Sequence, residues 1–144
     1  MDSDFEKVND FIYSMGVMDG ISYAVSRALA QDAQKRHYSY ETHHIVPWND
    51  RRCRQAQSIL NSVGIDPRLD ERNKINIPMQ LHKFLNNDAY DANIDLLFTS
   101  IEWYAKTYYP NEGKAKLKSL VLLAMDIIRG ALETAAAVVE DRIL

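Results

Sequence analysis

The sequence predicts a mainly α-helical fold with one small β-hairpin set into its middle. Three observations carry this expectation. Apolar residues recur at helical spacing along most of the chain, the mark of helices with one buried face. Two short segments, Tyr38 to Trp48 and Lys74 to Pro78, replace that rhythm with β-branched and aromatic residues in extended patterns. Glycine, proline and Asp/Asn clusters punctuate the chain between these stretches. With 144 residues the chain is long enough for one sizeable core and too short for two. The expected organisation is a helical segment over 1–37, a middle portion over 38–110 and a C-terminal helix over 111–144 packed on it, a single domain overall.

Taken in order, residues 4–34 read as helical. Phe5, Val8, Phe11 and Ile12 share one face, and Ile21, Ala24, Val25, Ala28 and Leu29 resume the pattern after Gly16 and Gly20. The glycines leave one helix or two open. The extended segment 38–48 follows, and Asn49 and Asp50 are suited to start a helix. That helix spans 51–63 and ends at Gly64, before a loop, DPRLDE, over 66–71. KINIP, 74–78, alternates as a short strand. After Pro78 the positions Leu81, Leu85, Tyr90, Ile94, Leu97, Phe98, Ile101 and Tyr104 predict helix up to the break at Pro110 and Gly113. The last helix, 114–142, carries a stripe of Leu117, Leu120, Val121, Ala124, Ile127, Ile128, Ala131 and Ala135. Core packing is its first use; a seam between two copies is the second.

Composition excludes several classes. Hydrophobic and charged contents of 47% and 26% are those of an ordinary globular chain. A single cysteine, Cys53, cannot form an internal disulfide. The most apolar run, SLVLLAMDIIRGALETAAAVV from Ser119 to Val139, is interrupted by Asp126, Arg129 and Glu133, each costly at a bilayer centre. The opening MDSDFEKVND is acidic and lacks the basic, then apolar, pattern of a signal peptide, so a cytoplasmic location is expected, in the producing cell or in a target cell. Net charge is −3, but Lys35 to Lys83 hold nine basic residues against five acidic ones, and the rest hold eight against fifteen. The middle is basic and the flanks are acidic, which places any contact with a polyanion in the middle.

The middle also holds the candidate chemistry. The chain has four histidines, and two stand together in YETHHIVPW, residues 40–48. Adjacent strand residues point to opposite faces, so His43 and His44 are split between two tasks. One suits a metal ligand, the other a general base, for which imidazole's ordinary pKa is appropriate near neutral pH. His82 and Asn86, four apart on the helix after Pro78, would share one face one turn apart and offer two ligating atoms to one ion. Hydrolysis of a phosphodiester needs an activated water, a cation on the phosphate oxygens and help at the leaving oxygen. Two strands and a helix around one ion could supply them.

The order His-His, Asn, His-x3-Asn resembles the HNH endonuclease superfamily, with its ββα-metal core. THHIVPW, VGIDPRLDERNKINIP and LHKFLNNDAYDANI together resemble its AHH branch over residues 42–97. That resemblance implies an HNH-like core embedded in additional helices, and a metal-dependent endonuclease acting on DNA more often than RNA. It assigns His43, His82 and Asn86 to the metal, His44 to the general base and Asn73 to holding the hairpin that positions His44. It implies one divalent ion. Because Asn86 stands where a histidine is usual, Mg²⁺ or Mn²⁺ is favoured over Zn²⁺: an amide oxygen suits a hard cation. Two more departures are Thr42 for the branch's alanine and Lys74 for the glycine after Asn73, where a turn with positive φ must be shaped otherwise. The branch is frequent as the toxic module of bacterial toxins, which implies an effector with an immunity protein as partner.

Arg51, Arg52, Arg54, Arg72 and Lys74 supply much of the basic middle and are candidate phosphate contacts, against the blander reading of a solvated charged face. The aromatic run EWYAKTYY, 102–109, fits core packing better than base stacking. His37 receives no role. The competing class is a degenerate HNH fold kept as a binding or regulatory module, favoured by Asn86 and by the acidic net charge.

Overall fold

A computed structural model describes residues 3–31 and 39–143; His37 and Tyr38 lie outside them. Helix α1, Ser3–Ser14, turns into α2, Val17–Gln31, at Gly16, whose φ of +79° is the left-handed conformation that favours glycine. Gly20 is no break. It lies inside α2, where a Cβ would come within 2.7 Å of the Tyr90 ring, so its missing side chain lets the helix approach that aromatic.

Strand β1, Tyr40–His44, pairs antiparallel with β2, Lys74–Pro78, with His43 opposite Ile75 and His44 opposite Lys74. The strand is shorter than the extended segment of the sequence. Beyond His44 the Ile45 N–H bonds the Asn73 carbonyl and the Val46 N–H bonds the Asn73 side chain, so an amide takes over from the partner strand. Pro47, with no N–H to give, then ends the extension. A 3₁₀ turn, Arg51–Cys53, leads into α3, Arg54–Ser62, and Asp50 caps the turn by accepting the Arg52 N–H. A second 3₁₀ turn, Glu71–Asn73, capped by Asp70, delivers the chain to β2.

The helix expected after Pro78 is two helices, α4, Met79–Leu85, and α5, Asp88–Tyr108. Asn87 causes the division. Its Oδ1 accepts the Tyr90 N–H and caps α5, while its Nδ2 donates to the Phe84 carbonyl at the end of α4. Helix α6, Gly113–Ile143, then covers the assembly, packing on α1, α2, α5 and β2. It buries Leu117, Leu120, Val121, Ala124, Ile128 and Ala135 of the expected stripe, with Leu132, Ala136 and Val139 besides; Ile127 and Ala131 sit at its edge. Its Arg129 also donates to the carbonyls of Glu71, Arg72 and Lys74, bracing the start of β2. In the aromatic run, Tyr104 is buried whereas Trp103 and Tyr108 are exposed. Among the described residues no helix is long and apolar enough to cross a membrane.

One buried acid ties α5 to the loop after β1. Asp91 is almost fully buried, and its carboxyl is pushed up to about 8 by burial, then by the hydrogen bond and charge of Asp50 and the charge of Asp88. It therefore keeps its proton near neutrality and donates to Asp50, whose own carboxyl is held low chiefly by that bond. The folded state thus binds a proton that the unfolded chain releases just above its ordinary value of 3.8. The associated stability is full below that value and is lost as pH rises towards 8. Urea midpoints should fall between about pH 5 and about pH 9, by the equivalent of about 4 kcal/mol. Asp91→Asn, which keeps a donor but cannot titrate, should flatten this slope.

Candidate active site

The hairpin divides its side chains between two faces. Glu41 and His43 alternate onto the face covered by α4, and Thr42 and His44 point to the other.

On the first face His43 is 3% exposed and its Nε2 has no hydrogen-bond partner. Its ring stands edge-on to that of His82, with centroids 5.2 Å apart, and the Tyr90 ring lies 6.4 Å away. Burial, then the neighbouring charges of His82 and His44, push the His43 imidazole down to about 3, so it is neutral under ordinary conditions, as ligation requires. His82 is partly exposed, and its Nδ1 lies 3.0 Å from Glu41 Oε1. An ionised carboxylate can only accept, so Nδ1 carries a hydrogen, and in the neutral ring it is Nε2 that has the lone pair. Asn86 is exposed and sits at the end of α4, where its ψ of 72° has left the helix although its N–H still bonds the His82 carbonyl. It is thus one turn on from His82, as expected, but at a helix terminus and not on a continuing face. Glu41, His82 and Asn86 together border an opening of about 590 Å³. Among the described residues no three His, Cys, Asp or Glu side chains are gathered closely enough to hold an ion by themselves. The structure brings the two imidazoles together, and Asn86 shares the opening with His82 but not with His43.

On the second face His44 borders a separate cleft of about 430 Å³ with Thr42, Trp48, Arg68, Lys74 and Asn76. Its Nε2 lies 3.1 Å from the Arg68 carbonyl. A carbonyl accepts only, so this nitrogen is the donor, and in the neutral ring Nδ1 has the lone pair. No side chain borders both openings.

Asn73 joins the parts. It is fully buried, its Nδ2 donates to the carbonyls of Val46 and Pro67, and its Oδ1 accepts the Val46 N–H. The end of β1 and the loop carrying Arg68 are thereby fastened to the same amide. Lys74, where a glycine was expected to be missed, is plain extended backbone with φ −120°, so no positive φ is needed. Lys74 pairs with Glu71, and Arg72 donates two side-chain hydrogen bonds to the Asp70 carboxylate. Arg52 bridges Asp50 and Asp88, and Arg51 and Arg54 are exposed beside it; none of these three borders the His44 cleft.

Two residues escaped the sequence reading. Glu41 gave one signal, its place two positions before His43 on the same strand face. Arg68 gave none beyond its charge, because its contact with His44 runs through the main chain.

A small hairpin followed by a helix, with paired imidazoles across the junction and a third histidine beside an open cleft, is a ββα arrangement. The sequence matches the AHH family, a nuclease family of the HNH/ENDO VII superfamily with conserved AHH, over residues 25–101. That is just over half of the chain, and the protein belongs to this family. Thr42 occupies the place of the alanine in its signature. No curated protein and no solved structure gives a significant match.

Proposed function

We propose that the protein is a divalent-metal-dependent endonuclease that hydrolyses phosphodiester bonds of DNA. The observation that carries the proposal is the buried, neutral His43 with its unpartnered Nε2 set against His82. A buried ring nitrogen with no partner is costly in a core and is accounted for if it has a ligand to bind. The chain's donors fit such an ion: His43 and His82 would hold it, with the Asn86 oxygen adding a hard ligand that favours Mg²⁺ or Mn²⁺. When bound, the ion would supply positive charge to the phosphodiester, which would have to lie across the end of β1 to meet both the His43–His82 side and the His44 cleft, since the two openings share no lining side chain.

The remaining work falls to the chain. His44, with its Nε2–H given to the Arg68 carbonyl, presents Nδ1 to take a proton from the attacking water. Asn73 holds the strand end and the Arg68 loop in register, so that this ring cannot turn away. Lys74, and further out Arg51, Arg52, Arg54 and Arg72, would receive the phosphate backbone. Glu41 orients His82 and strengthens it as a donor, in the way carboxylates commonly back metal-binding histidines. Glu41→Ala should weaken Mn²⁺ binding, measured calorimetrically, by about tenfold or more, and Glu41→Gln should lose less.

The test is nicking of supercoiled plasmid. Cleavage should require Mg²⁺ or Mn²⁺ and stop on adding chelator. The exposed Asn86 in a histidine's place supports a second reading, a degenerate fold kept for binding or regulation. Absence of metal-dependent nicking would favour it.

A further inference from the structure

Arg68 places a cation in the mouth of the His44 cleft, and three features of its setting bear on what that cation binds. First, it is held there. Its guanidinium lies over the Trp48 ring, 4.6 Å from the centroid, a contact that restrains an otherwise mobile side chain. Second, both partners stand on fixed backbone. Asp66 Oδ1 accepts the N–H groups of Arg68 and Leu69, and the Pro67 carbonyl takes a hydrogen bond from Asn73. On the other side Gln57 donates to the carbonyls of Pro47 and Asp50, fastening the turn that carries Trp48. Third, Arg68 is not neutralised. Among the described residues its side chain makes no ion pair, whereas Lys74, the other cation of the cleft, is engaged by Glu71.

The geometry points to Arg68, seated on Trp48, as the phosphate anchor of this cleft. One residue then serves the site twice: its carbonyl sets the tautomer of His44, and its guanidinium grips the phosphodiester that His44 faces. The fork of donors on a guanidinium suits phosphate oxygens, and an arginine stacked on an indole arrives with part of its ordering already done. The ligand is a nucleic-acid backbone, so this inference rests on the nuclease reading. It adds a residue that pattern alone would pass over.

The test measures binding without turnover. The intact protein carrying Trp103→Phe, which leaves Trp48 as its only tryptophan, is titrated with a short DNA duplex in chelator, and Trp48 emission is followed. The same titration with an RNA duplex compares the two backbones. Emission should change on binding. Arg68→Ala should weaken affinity about five- to tenfold and lower the salt dependence by about one phosphate contact. Arg68→Lys should keep the salt dependence while losing part of the affinity. Lys106→Ala, an exposed cation of α5 outside the cleft, should change affinity less than about twofold, as a surface charge away from the phosphate would.

Binding that is unaltered by Arg68→Ala, or that leaves Trp48 emission unchanged, overturns this assignment and leaves the nuclease reading standing. Failure of the starting protein to bind either duplex at low salt overturns both.

Discussion

His44→Ala is expected to reduce plasmid nicking by about 10²–10⁴-fold while leaving the thermal midpoint and Mn²⁺ affinity close to those of the parent protein. The expectation rests on the separation of tasks across the hairpin. His44 is half-exposed on a cleft, its hydrogen bond is to a main-chain carbonyl, and its ring takes no part in the edge-on contact of His43 with His82. Removing its ring therefore deletes a proton acceptor without opening a core cavity. Loss of ion binding together with loss of cleavage would mean that His44 belongs to the metal site and that the two faces are not independent. The same variant bears on the role as a toxic module that the family resemblance implies. Expression of the parent protein inside bacteria should arrest growth, and His44→Ala should relieve the arrest; harmless expression of an active parent would count against that role.

Asn73→Ala is expected to be the most damaging single substitution to the fold near the site, at about 3 kcal/mol, or about 10 °C in thermal midpoint. Its amide makes three buried hydrogen bonds, and their loss strands the Val46 N–H and the carbonyls of Val46 and Pro67 away from water. Asn73→Asp tests the direction of those bonds. It can still accept from Val46, but its second oxygen would face two carbonyls where an N–H₂ group now donates. It should therefore destabilise about as much as alanine. Cleavage should fall with both variants even below their unfolding temperatures, because the strand end that aims His44 and the loop that orients it would lose their common anchor. Full activity in a destabilised Asn73→Ala protein would remove Asn73 from the site.

Much of this arrangement was legible before folding. Helical periodicity placed α1 to α3 and α6 closely, and KINIP is β2 residue for residue. Periodicity failed where side-chain hydrogen bonds overrule it. The stripe from Leu81 to Tyr104 runs on through Asn87, yet that amide caps one helix while closing another. Ile45 and Val46 have every propensity of a strand and are buried, but their backbone is satisfied by Asn73 instead of a neighbouring strand. The site divides in the same way. The two-residue alternation of a strand was enough to send His43 and His44 to opposite faces, and their spacing from Asn73 and His82 carried the family resemblance.

The amino-acid order by itself thus determined the elements, the faces and the family, because these depend on local spacing and on residues of rare type. Only the tertiary structure decided that His43 is sealed against His82 with a bare ring nitrogen, that Glu41 backs His82, and that the carbonyl of Arg68 fixes the tautomer of His44. Each of these contacts joins positions more than twenty residues apart, and no periodicity along a chain encodes which distant groups will meet once water has been excluded between them.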